Sequence, residues 1–540
     1  MKTRKLQGII FLERQRAKSY HLITKSFLKK PFRKFVAKGE TKANLIKTKY
    51  KSMNIEITTK LTSQNTLIIP VVENDALQTN LAIIAEMAGV DSADLSADFK
   101  AKASESSSFY ASGKTFKKVI LIGLGKEPKS RKVIETFRSF FYKNKKKLSG
   151  NVAIDFSSAN TSALAEYIAN GIFLAPYEIG FLQTEEKKDV DFFSGENSVT
   201  FVSETNIDAA VEKGKATAET QRNMLQLVDS PANYKTPQQM AKYVVDSGNV
   251  NGFKTTIYDA VQCEEIGLHA LLAVGRGSVD NPPVFIVMEY DGTGEANAKT
   301  FGLVGKGVTF DTGGVSLKPG DNMNYMKSDM GGAAAVIGAV ELLAKLKAPV
   351  KVIGIVPATE NCIDSLAIKP GDVINSYAGK TIEVINTDAE GRLILADGVH
   401  YMKKHFNPDI MIDLATLTGS AIRALGFGTA ALMSNNDSLV EKLYKAAEQT
   451  NEKVWRMPLW DEDYKDMMKS DVADIMNLSV APVAGAITAA KFIEFFTDEH
   501  PNWAHLDIAG VAFGGSEYGK MKSATAYGVR LLTEFILKEA

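Results

Sequence analysis

The sequence predicts an α/β protein with more than one domain, and three observations support this fold class. The chain has 540 residues, more than a single domain usually contains. Its composition, with 45% hydrophobic and 24% charged residues, is typical of a globular protein that buries a core. Short apolar runs alternate along the chain with segments of helical periodicity, which favours a sheet whose strands are joined by helices.

The first clear elements follow Met53. The segment MNIEITTKLTSQNTLIIPVV predicts an alternating strand and then a buried strand, TLIIPVV at 66–72. KKVILIGLG at 117–125 predicts another buried strand. LQTNLAIIAEMAG and RKVIETFRSFFYKNKKKL have the periodicity of amphipathic helices. We therefore expect residues 53–204 to form an N-terminal α/β domain.

A long polar stretch separates this region from the rest of the chain. SETNIDAAVEKGKATAETQRNMLQLVDSPAN predicts a helix that ends before Pro231. Apolar strands and helices then alternate again to the last residue. We therefore predict a linker helix at 205–230 and a second, larger domain at 231–540.

Residues 1–52 differ in composition from everything that follows. They contain 16 Lys and Arg but only two acids, whereas the remaining 488 residues are mildly acidic. Three interpretations are open: a transit peptide, a nucleic-acid-binding arm, or an extension upstream of a start at Met53. Lysine outnumbers arginine, which weakens the first interpretation, and we favour the third. The segment is then expected to be disordered or not translated.

Cysteine usage and hydropathy exclude several classes of protein. Cys263 and Cys362 are the only cysteines, too few for a disulfide framework or a cysteine-built zinc site. No apolar run reaches the roughly 18–20 residues that span a bilayer, and no signal peptide is visible. We therefore expect a cytoplasmic protein without membrane association.

Two glycine-rich segments carry clustered acids behind apolar strands. In VGKGVTFDTGGVSLKPGDNMNYMKSDMGGAAAV, a strand leads into a loop that holds Asp311, and Asp329 precedes a helix. In KTIEVINTDAEGRLILADGVHYMKKHF, a β-branched strand ends before Asp388 and Glu390, and a helix follows. Both clusters therefore lie at carboxyl ends of strands, where open α/β sheets bind their ligands.

Four carboxylates that converge from two loops need compensating positive charge. A pair of divalent cations would supply it, and so would Lys306, Lys318 and Arg392, which are interleaved with the acids. The residues alone therefore leave two alternatives, a metal site and an ion-pair network at a sheet edge. No histidine lies in either loop, so a metal would be held mainly by oxygen, which favours Mg, Mn or Zn.

At this point the residues resemble a known family. NTDAEGRL at 386–393 is similar to the signature octapeptide of the leucyl (cytosol) aminopeptidases, and GKGVTFDTGG at 305–314 resembles their other metal loop. The resemblance covers roughly residues 220–530. It implies a smaller, macro-domain-like N-terminal α/β domain and a larger α/β catalytic domain with a central mixed sheet flanked by helices. It also implies a metal-dependent aminopeptidase that hydrolyses the N-terminal peptide bond of peptides and releases leucine and other, preferably neutral, amino acids.

The same resemblance implies two divalent metal ions per subunit, Mn or Zn, with Mg or Co as further options. The residues implied to hold the more exchangeable ion are Asp311, Asp388 (also through its carbonyl) and Glu390. The residues implied to hold the tighter ion are Lys306, Asp311, Asp329 and Glu390.

Catalytic and substrate-binding positions are implied in the same way. Lys318 is implied to stabilise the oxyanion, and Arg392 to hold a bicarbonate ion that moves the proton. The residues implied to bind the substrate are Met326, Asn386, Thr416, Leu417 and Gly419.

The resemblance also implies a homohexamer, a dimer of trimers, that acts on peptides. Two rival functions are open. A two-metal hydrolase of phosphoesters would normally have histidines in its site, and neither loop has one. Some bacterial members of the family also bind DNA, but the acidic residues 53–540 argue against a large basic footprint, so nucleic acid is not an expected partner.

Overall fold

The computed structural model describes residues 53–62, 64–111, 115–184, 191–194, 197–515, 518–519 and 521–540. The extension predicted for residues 1–52 lies outside the described residues, so its interpretation stays a prediction. None of the helices in the described ranges is long and apolar enough to cross a membrane.

The N-terminal part is built on a six-stranded sheet. Its strands are β1 (Asn54–Thr58), β2 (Gln64–Val71), β3 (Ser106–Tyr110), β4 (Phe116–Gly123), β5 (Asn151–Asp155) and β6 (Ser198–Val202). The strand order is β1-β6-β5-β2-β4-β3, and the pairs are parallel except that β3 runs antiparallel to β4. Leu67, Ile68 and Ile69 of β2 are fully buried, as expected for a central strand covered on both faces. The helices of this part are α1 (Leu77–Ala88), α2 (Ser92–Asp98), α3 (Ser130–Asn144), the 3₁₀ helix Ser162–Leu164 and α4 (Ala165–Leu174).

A 22-residue helix, α5 (Asp208–Asp229), occupies the segment that the sequence predicted as a linker. It packs closely on α4, because a Cβ atom at Gly214 would lie 2.2 Å from the carbonyl oxygen of Glu166. Glycine at that position therefore allows the two helix backbones to approach. The domain boundaries drawn from the sequence remain predictions.

The C-terminal part is built on a nine-stranded mixed sheet and a small three-stranded one. Its strands in chain order are β7 (Lys254–Tyr258), β8 (Val284–Asp291), β9 (Thr300–Gly305), β10 (Gly307–Asp311), β11 (Lys351–Asn361), β12 (Val373–Asn375), β13 (Thr381–Glu383), β14 (Ile410–Ala415), β15 (Ala430–Ser434), β16 (Val454–Arg456), β17 (Ile475–Met476) and β18 (Trp503–Asp507). The large sheet has the order β16-β15-β18-β14-β9-β11-β8-β7, with β10 also paired to β11, and the small sheet has the order β12-β13-β17. Strands β18, β14, β9 and β11 are parallel to one another.

Helices cover both faces of the large sheet. They are the 3₁₀ helix Ala232–Tyr234, α6 (Pro237–Asn251), α7 (Ala260–Ile266), α8 (His269–Gly275), the 3₁₀ helix Met323–Ser328, α9 (Gly331–Lys345), α10 (Gly391–Phe406), α11 (Gly419–Leu425), α12 (Asp437–Thr450), α13 (Asp461–Tyr464), the 3₁₀ helix Asp466–Met468, α14 (Gly485–Phe495) and α15 (Val529–Glu539). The central helix α9 is buried along most of its length, since its alanines and valines all face core. The first turn of α9 packs against the end of β14, where only glycine fits. A Cβ atom at Gly332 would lie 2.0 Å from the carbonyl oxygen of Leu414.

The first acid-rich segment lies at the carboxyl ends of the parallel strands, whereas the second follows β13 of the small sheet. Lys306 follows β9, Asp311 ends β10, and Thr416 follows β14, whose Leu414 lies opposite Gly305. Glu390 immediately precedes α10. The carboxyl ends of parallel strands therefore meet at the first segment, as the sequence predicted. The second segment reaches the same place from the small sheet, which the sequence did not predict.

Candidate active site

Lys306 lies at the centre of the converging side chains. Its Nζ atom is 2.7 Å from Asp329 Oδ2 and 2.8 Å from Glu390 Oε1, and it donates a hydrogen bond of 3.0 Å to the carbonyl oxygen of Thr416. The residue is only 3% exposed. Gly391 makes room for it, because a Cβ atom there would lie 2.7 Å from the Lys306 side chain. The charge is therefore held deep in the site by residues from three separate segments.

Lys318 lies at the rim of the same site. Its Nζ atom is 2.8 Å from Asp311 Oδ2 and also forms an ion pair with Asp388 Oδ1. The Lys318 side chain is 21% exposed, so it is accessible to a ligand that enters from solvent. Lys306 thus pairs with two buried carboxylates, and Lys318 pairs with buried Asp311 and with Asp388, the most exposed of the four.

Three of the carboxylates form a compact group of oxygen donors. Oxygens of Asp311, Asp329 and Glu390 all lie within 4.8 Å of one another, and all three residues are buried. Glu390 Oε2 makes no hydrogen bond to any residue that the structure describes. A buried carboxylate oxygen without a donor is costly, and a cation would satisfy it. This donor set therefore fits a divalent metal ion with a preference for oxygen ligands.

The ionisation of the cluster shows a surplus of negative charge. Burial raises the pKa of Asp329 well above its usual value, and the neighbouring Glu390 and Asp311 raise it further. Burial and the same two carboxylates raise the pKa of Asp388 to about 6. Burial lowers the pKa of Lys306, but the three carboxylates around it raise it by more, so the net shift is upward. The two site lysines alone therefore do not balance the acids.

The loop that carries Asp388 is held by Asn477 and Thr387, for which the sequence analysis predicted no role. Asn477 accepts hydrogen bonds from the backbone of Ile385 and Asn386, and its amide donates to the carbonyl oxygens of Asn386 and Ala389. Thr387 Oγ1 donates to the Gly313 carbonyl at 2.6 Å, which joins this loop to the first acid loop. The role of Asn477 has no local sequence signal, because this residue follows β17 and meets the loop only in the fold.

Some of the predicted substrate-binding residues contact the acids, and the others lie next to them in the chain. Thr416 is in direct contact, since its Oγ1 donates to Asp329 Oδ1 at 2.7 Å. Met326 lies in the 3₁₀ helix just before Asp329, whose backbone N–H donates to its carbonyl. Asn386 Oδ1 accepts a hydrogen bond from the Asp388 backbone at 2.7 Å. The remaining two follow Thr416 on the same segment: Leu417 is partly buried, and Gly419 is exposed at the first position of α11.

Arg392 is buried, so it is less accessible to a substrate than Lys318. It is 4% exposed, and its Nη1 donates to the carbonyl oxygen of Asn477 at 3.0 Å. Burial lowers the pKa of Arg392 to about 10, against the opposing influence of Glu390 and Asp507, so the guanidinium stays charged near neutral pH. Its Nε is buried and has no hydrogen-bond acceptor within the described part of the chain.

A mixed β-sheet flanked by helices, with a buried carboxylate–lysine centre at the carboxyl ends of its strands, is the arrangement of an α/β enzyme. The sequence matches the description "Cytosol aminopeptidase family, catalytic domain" over residues 223–533 and "Cytosol aminopeptidase family, N-terminal domain" over residues 68–186. The chain therefore belongs to the cytosol aminopeptidase family.

Named relatives agree with this assignment. The chain is 44% identical over 476 residues to the "probable cytosol aminopeptidase" of Chloroherpeton thalassium, covering 84% of this chain and 93% of that protein. It is 42% identical over 508 residues to that of Chlorobium limicola, covering 90% and 100% respectively.

Solved structures show the same fold over most of the chain. A mutant of tomato leucine aminopeptidase is 32% identical, with a TM-score of 0.78, and the match covers 91% of this chain and 97% of that one. The bottromycin maturation enzyme BotP is 30% identical, with a TM-score of 0.75, and the match covers 88% and 99%. The family, the fold class and the enzyme class predicted from the sequence are thereby confirmed, and the protein is a metal-dependent aminopeptidase that acts on peptides.

Proposed function

We propose that the centre formed by Lys306, Asp311, Asp329, Asp388 and Glu390 binds two divalent cations, Mn or Zn by preference, and that this pair drives removal of the N-terminal residue of peptides. The proposal rests on the compact group of three buried carboxylates, in which Glu390 Oε2 accepts no hydrogen bond from the described residues. A structure of BotP is of its complex with Mn, which favours Mn among the options. When bound, such cations polarise the scissile carbonyl and lower the pKa of water.

The ligands divide into a buried set and a rim set. Lys306, Asp329 and Glu390 are in mutual contact and would hold the tighter ion together with Asp311. Asp388 lies at the rim beside Lys318 and would join Asp311 and Glu390 around the more exchangeable ion. Lys306 can be a ligand only as the neutral amine, because an ammonium group has no lone pair. Its role therefore requires that its proton leaves when the metal enters.

Two cationic side chains act on the reacting groups. Lys318 is accessible and remains charged, since burial lowers its pKa but Asp311, Glu390 and Asp388 raise it by more. It would donate to the oxygen that becomes negative when the peptide carbonyl is attacked. Arg392 cannot act as a base, because it stays protonated. The buried Nε–H of Arg392 has no acceptor among the described residues. This supports the proposal that Arg392 holds a bicarbonate ion that accepts and returns the proton.

The peptide's free amino group explains why cleavage is restricted to the chain end. Asp329 lies next to Met326 and Thr416, so an ammonium or amine bound at Asp329 would place the first side chain among Met326, Thr416, Leu417 and Gly419. These residues carry no charge, which favours leucine and other neutral first residues. Asn386 would help to orient the backbone, as its side chain already fixes the Asp388 loop.

We extend the proposal to assembly and location. A homohexamer built as a dimer of trimers and a cytoplasmic location are carried over from the family resemblance. Several large apolar side chains are exposed on the C-terminal part, among them Phe427, Val480 and Val483, and contact between subunits would cover such surface. Sedimentation analysis of the purified protein checks the assembly, and a monomer at micromolar concentration would contradict it.

The test of the proposed function is metal removal and return, assayed on leucine amide. Exhaustive treatment with a strong chelator is expected to abolish hydrolysis, and Mn or Zn should restore it with two ions bound per chain, counted by elemental analysis. Full activity in the metal-free protein would contradict the proposal.

Substrate controls in the same assay separate the rival functions. A peptide with an acetylated N-terminus should resist hydrolysis, because it lacks the amine that the site binds. A phosphoester should not be hydrolysed. Cleavage of the acetylated peptide at the rate of the free one would contradict the exopeptidase assignment, and faster phosphoester hydrolysis would favour the rival.

A further inference from the structure

Asn361 connects the two acid-rich loops through a single side chain. It is the last residue of β11, it is 2% exposed, and it lies opposite Asp311 in the parallel pairing of β10 and β11. Its Nδ2 donates to Asp311 Oδ1 at 2.9 Å and to the carbonyl oxygen of Thr387 at 3.0 Å. A primary amide has two hydrogens on nitrogen, and here both are engaged, one on each loop.

These contacts decide which oxygen of Asp311 faces the site. Oδ1 accepts from Asn361 and also from the backbone N–H of Gly313 at 2.8 Å. Oδ2 is then the oxygen directed to Lys318, at 2.8 Å. Without the Asn361 donor, the carboxylate loses one of the two hydrogen bonds that oppose rotation about its terminal bond. Asp311 would then present either oxygen to the site.

The same side chain fixes the position of the second loop. Thr387 immediately precedes Asp388, so the hydrogen bond to its carbonyl limits how far the Asp388 loop can move from β11. The backbone of Asn361 adds to this tie, because its carbonyl accepts from both the N–H and the Oγ1 of Thr312, next to Asp311. Asn361 belongs to neither loop, and together with the hydrogen bond from Thr387 to Gly313 it limits how far the two loops can separate.

We propose that Asn361 is a positioning residue that sets the orientation of Asp311 and the spacing of the two acid loops, and thereby the affinity of the site for divalent cations. The proposal rests on the proposed function, in which Asp311 and Asp388 are ligands. Asn361 itself donates only to protein groups and is assigned no contact with substrate or metal.

Mn binding to the metal-free protein tests the proposal directly, by calorimetric titration and by counting free Mn with electron paramagnetic resonance. Asn361→Leu removes both donors at similar volume and is expected to weaken Mn binding by about 10–100-fold, as is usual when a residue that orients a metal ligand is lost. Asn361→Ala removes the same two donors without adding charge or bulk, and the same direction is expected.

A matched control separates positioning from general damage. Asn170 is also buried and also uses both amide hydrogens, on Gly214 O at 3.3 Å and Gln221 Oε1 at 2.9 Å, but far from the acid loops in sequence and fold. Asn170→Leu should lower thermal stability and leave Mn affinity unchanged. Wild-type Mn affinity in either Asn361 variant that folds would overturn the inference. If the wild-type protein itself bound no divalent cation, the proposed function would fall instead.

Discussion

Lys306 and Lys318 are identical in chemistry and differ only in what surrounds them. Lys306 is almost completely buried between Asp329, Glu390 and a backbone carbonyl, so it has no route to a substrate that does not pass the acids. Lys318 pairs with two carboxylates but keeps a fifth of its side chain exposed. The first arrangement suits a ligand, and the second suits a group that meets the reacting oxygen.

Alanine substitution of the two lysines should therefore give different defects. Lys306→Ala removes a proposed ligand and should lower the metal content of the purified protein, measured by elemental analysis. Lys318→Ala should leave the metal content at the wild-type value while kcat falls by a factor on the order of 10²–10³, as for a lost oxyanion donor. Unchanged metal content in the first variant, or lost metal in the second, would mean that the two roles are reversed.

At this scale the sequence information came from the resemblance of two glycine-rich segments to a known family, and the roles assigned to their residues stay predictions. Lys306, Asp311, Lys318 and Asp329 occur at intervals of 5, 7 and 11 residues, and the structure brings all four together. The side chains that orient them were not predictable. Asn361 meets Asp311 only because β10 and β11 pair in one register, and that register is not visible in either segment alone.

At the scale of elements, two lysines attach the 3₁₀ helix Met323–Ser328 to the end of α5. Lys235 reaches from the segment after α5 to the 3₁₀ helix, and Lys327 reaches from the 3₁₀ helix to α5. Lys235 is fully buried and donates to the carbonyl oxygens of Val228, at 2.9 Å, and Lys327. Lys327 in turn donates to the carbonyl oxygen of Asp229 at 2.6 Å. The C-terminal carbonyls of a long helix favour a cation. The 3₁₀ helix contains Met326 and ends just before Asp329, so its attachment to α5 helps to hold both residues in position.

Lys235→Met keeps an apolar side chain of similar length but removes the hydrogen bond to the Lys327 carbonyl, so it should loosen this 3₁₀ helix. Because Met326 and Asp329 are proposed to bind the first residue of the substrate, KM for leucine amide should rise several-fold more than kcat falls. The measurement is steady-state kinetics at saturating Mn. Lys491→Met is the control, since it removes another buried lysine, one paired with Asp461 and Glu494 away from the site. An equal rise in KM in both variants would show that the effect is not local.

Element prediction was accurate for single segments and weaker for their pairing. The strand expected at 66–72 is β2 at Gln64–Val71, and the one expected at 117–125 is β4 at Phe116–Gly123. Apolar runs and β-branched residues carry that signal locally. The pairing of β1 with β6, which is distant in the chain, depends on how the whole N-terminal part packs. Strand order therefore could not be obtained from periodicity.

At the scale of the molecule, one hydrophobic core joins the N-terminal sheet to the catalytic part. The cluster that contains Ile68 and Phe137 is continuous through Val211 of α5 with Val340 of α9 and Leu532 of α15. Polar contacts cross the same boundary: Ser130 Oγ donates to the Gln449 carbonyl at 2.7 Å, and Tyr177 donates to Asp229 at 2.7 Å. Burial shared in this way couples the stability of the two parts, because neither can unfold without exposing apolar surface of the other.

We therefore expect the two parts to unfold together. The chain has three tryptophans, Trp455, Trp460 and Trp503, and all lie in the catalytic part, so tryptophan fluorescence reports on that part alone. Far-ultraviolet circular dichroism reports on both parts. The thermal transitions from the two signals should coincide within experimental error, as for one cooperative unit. A circular dichroism transition at lower temperature with no change in fluorescence would show that the N-terminal sheet unfolds independently, and the shared core would then contribute less to stability than its burial implies.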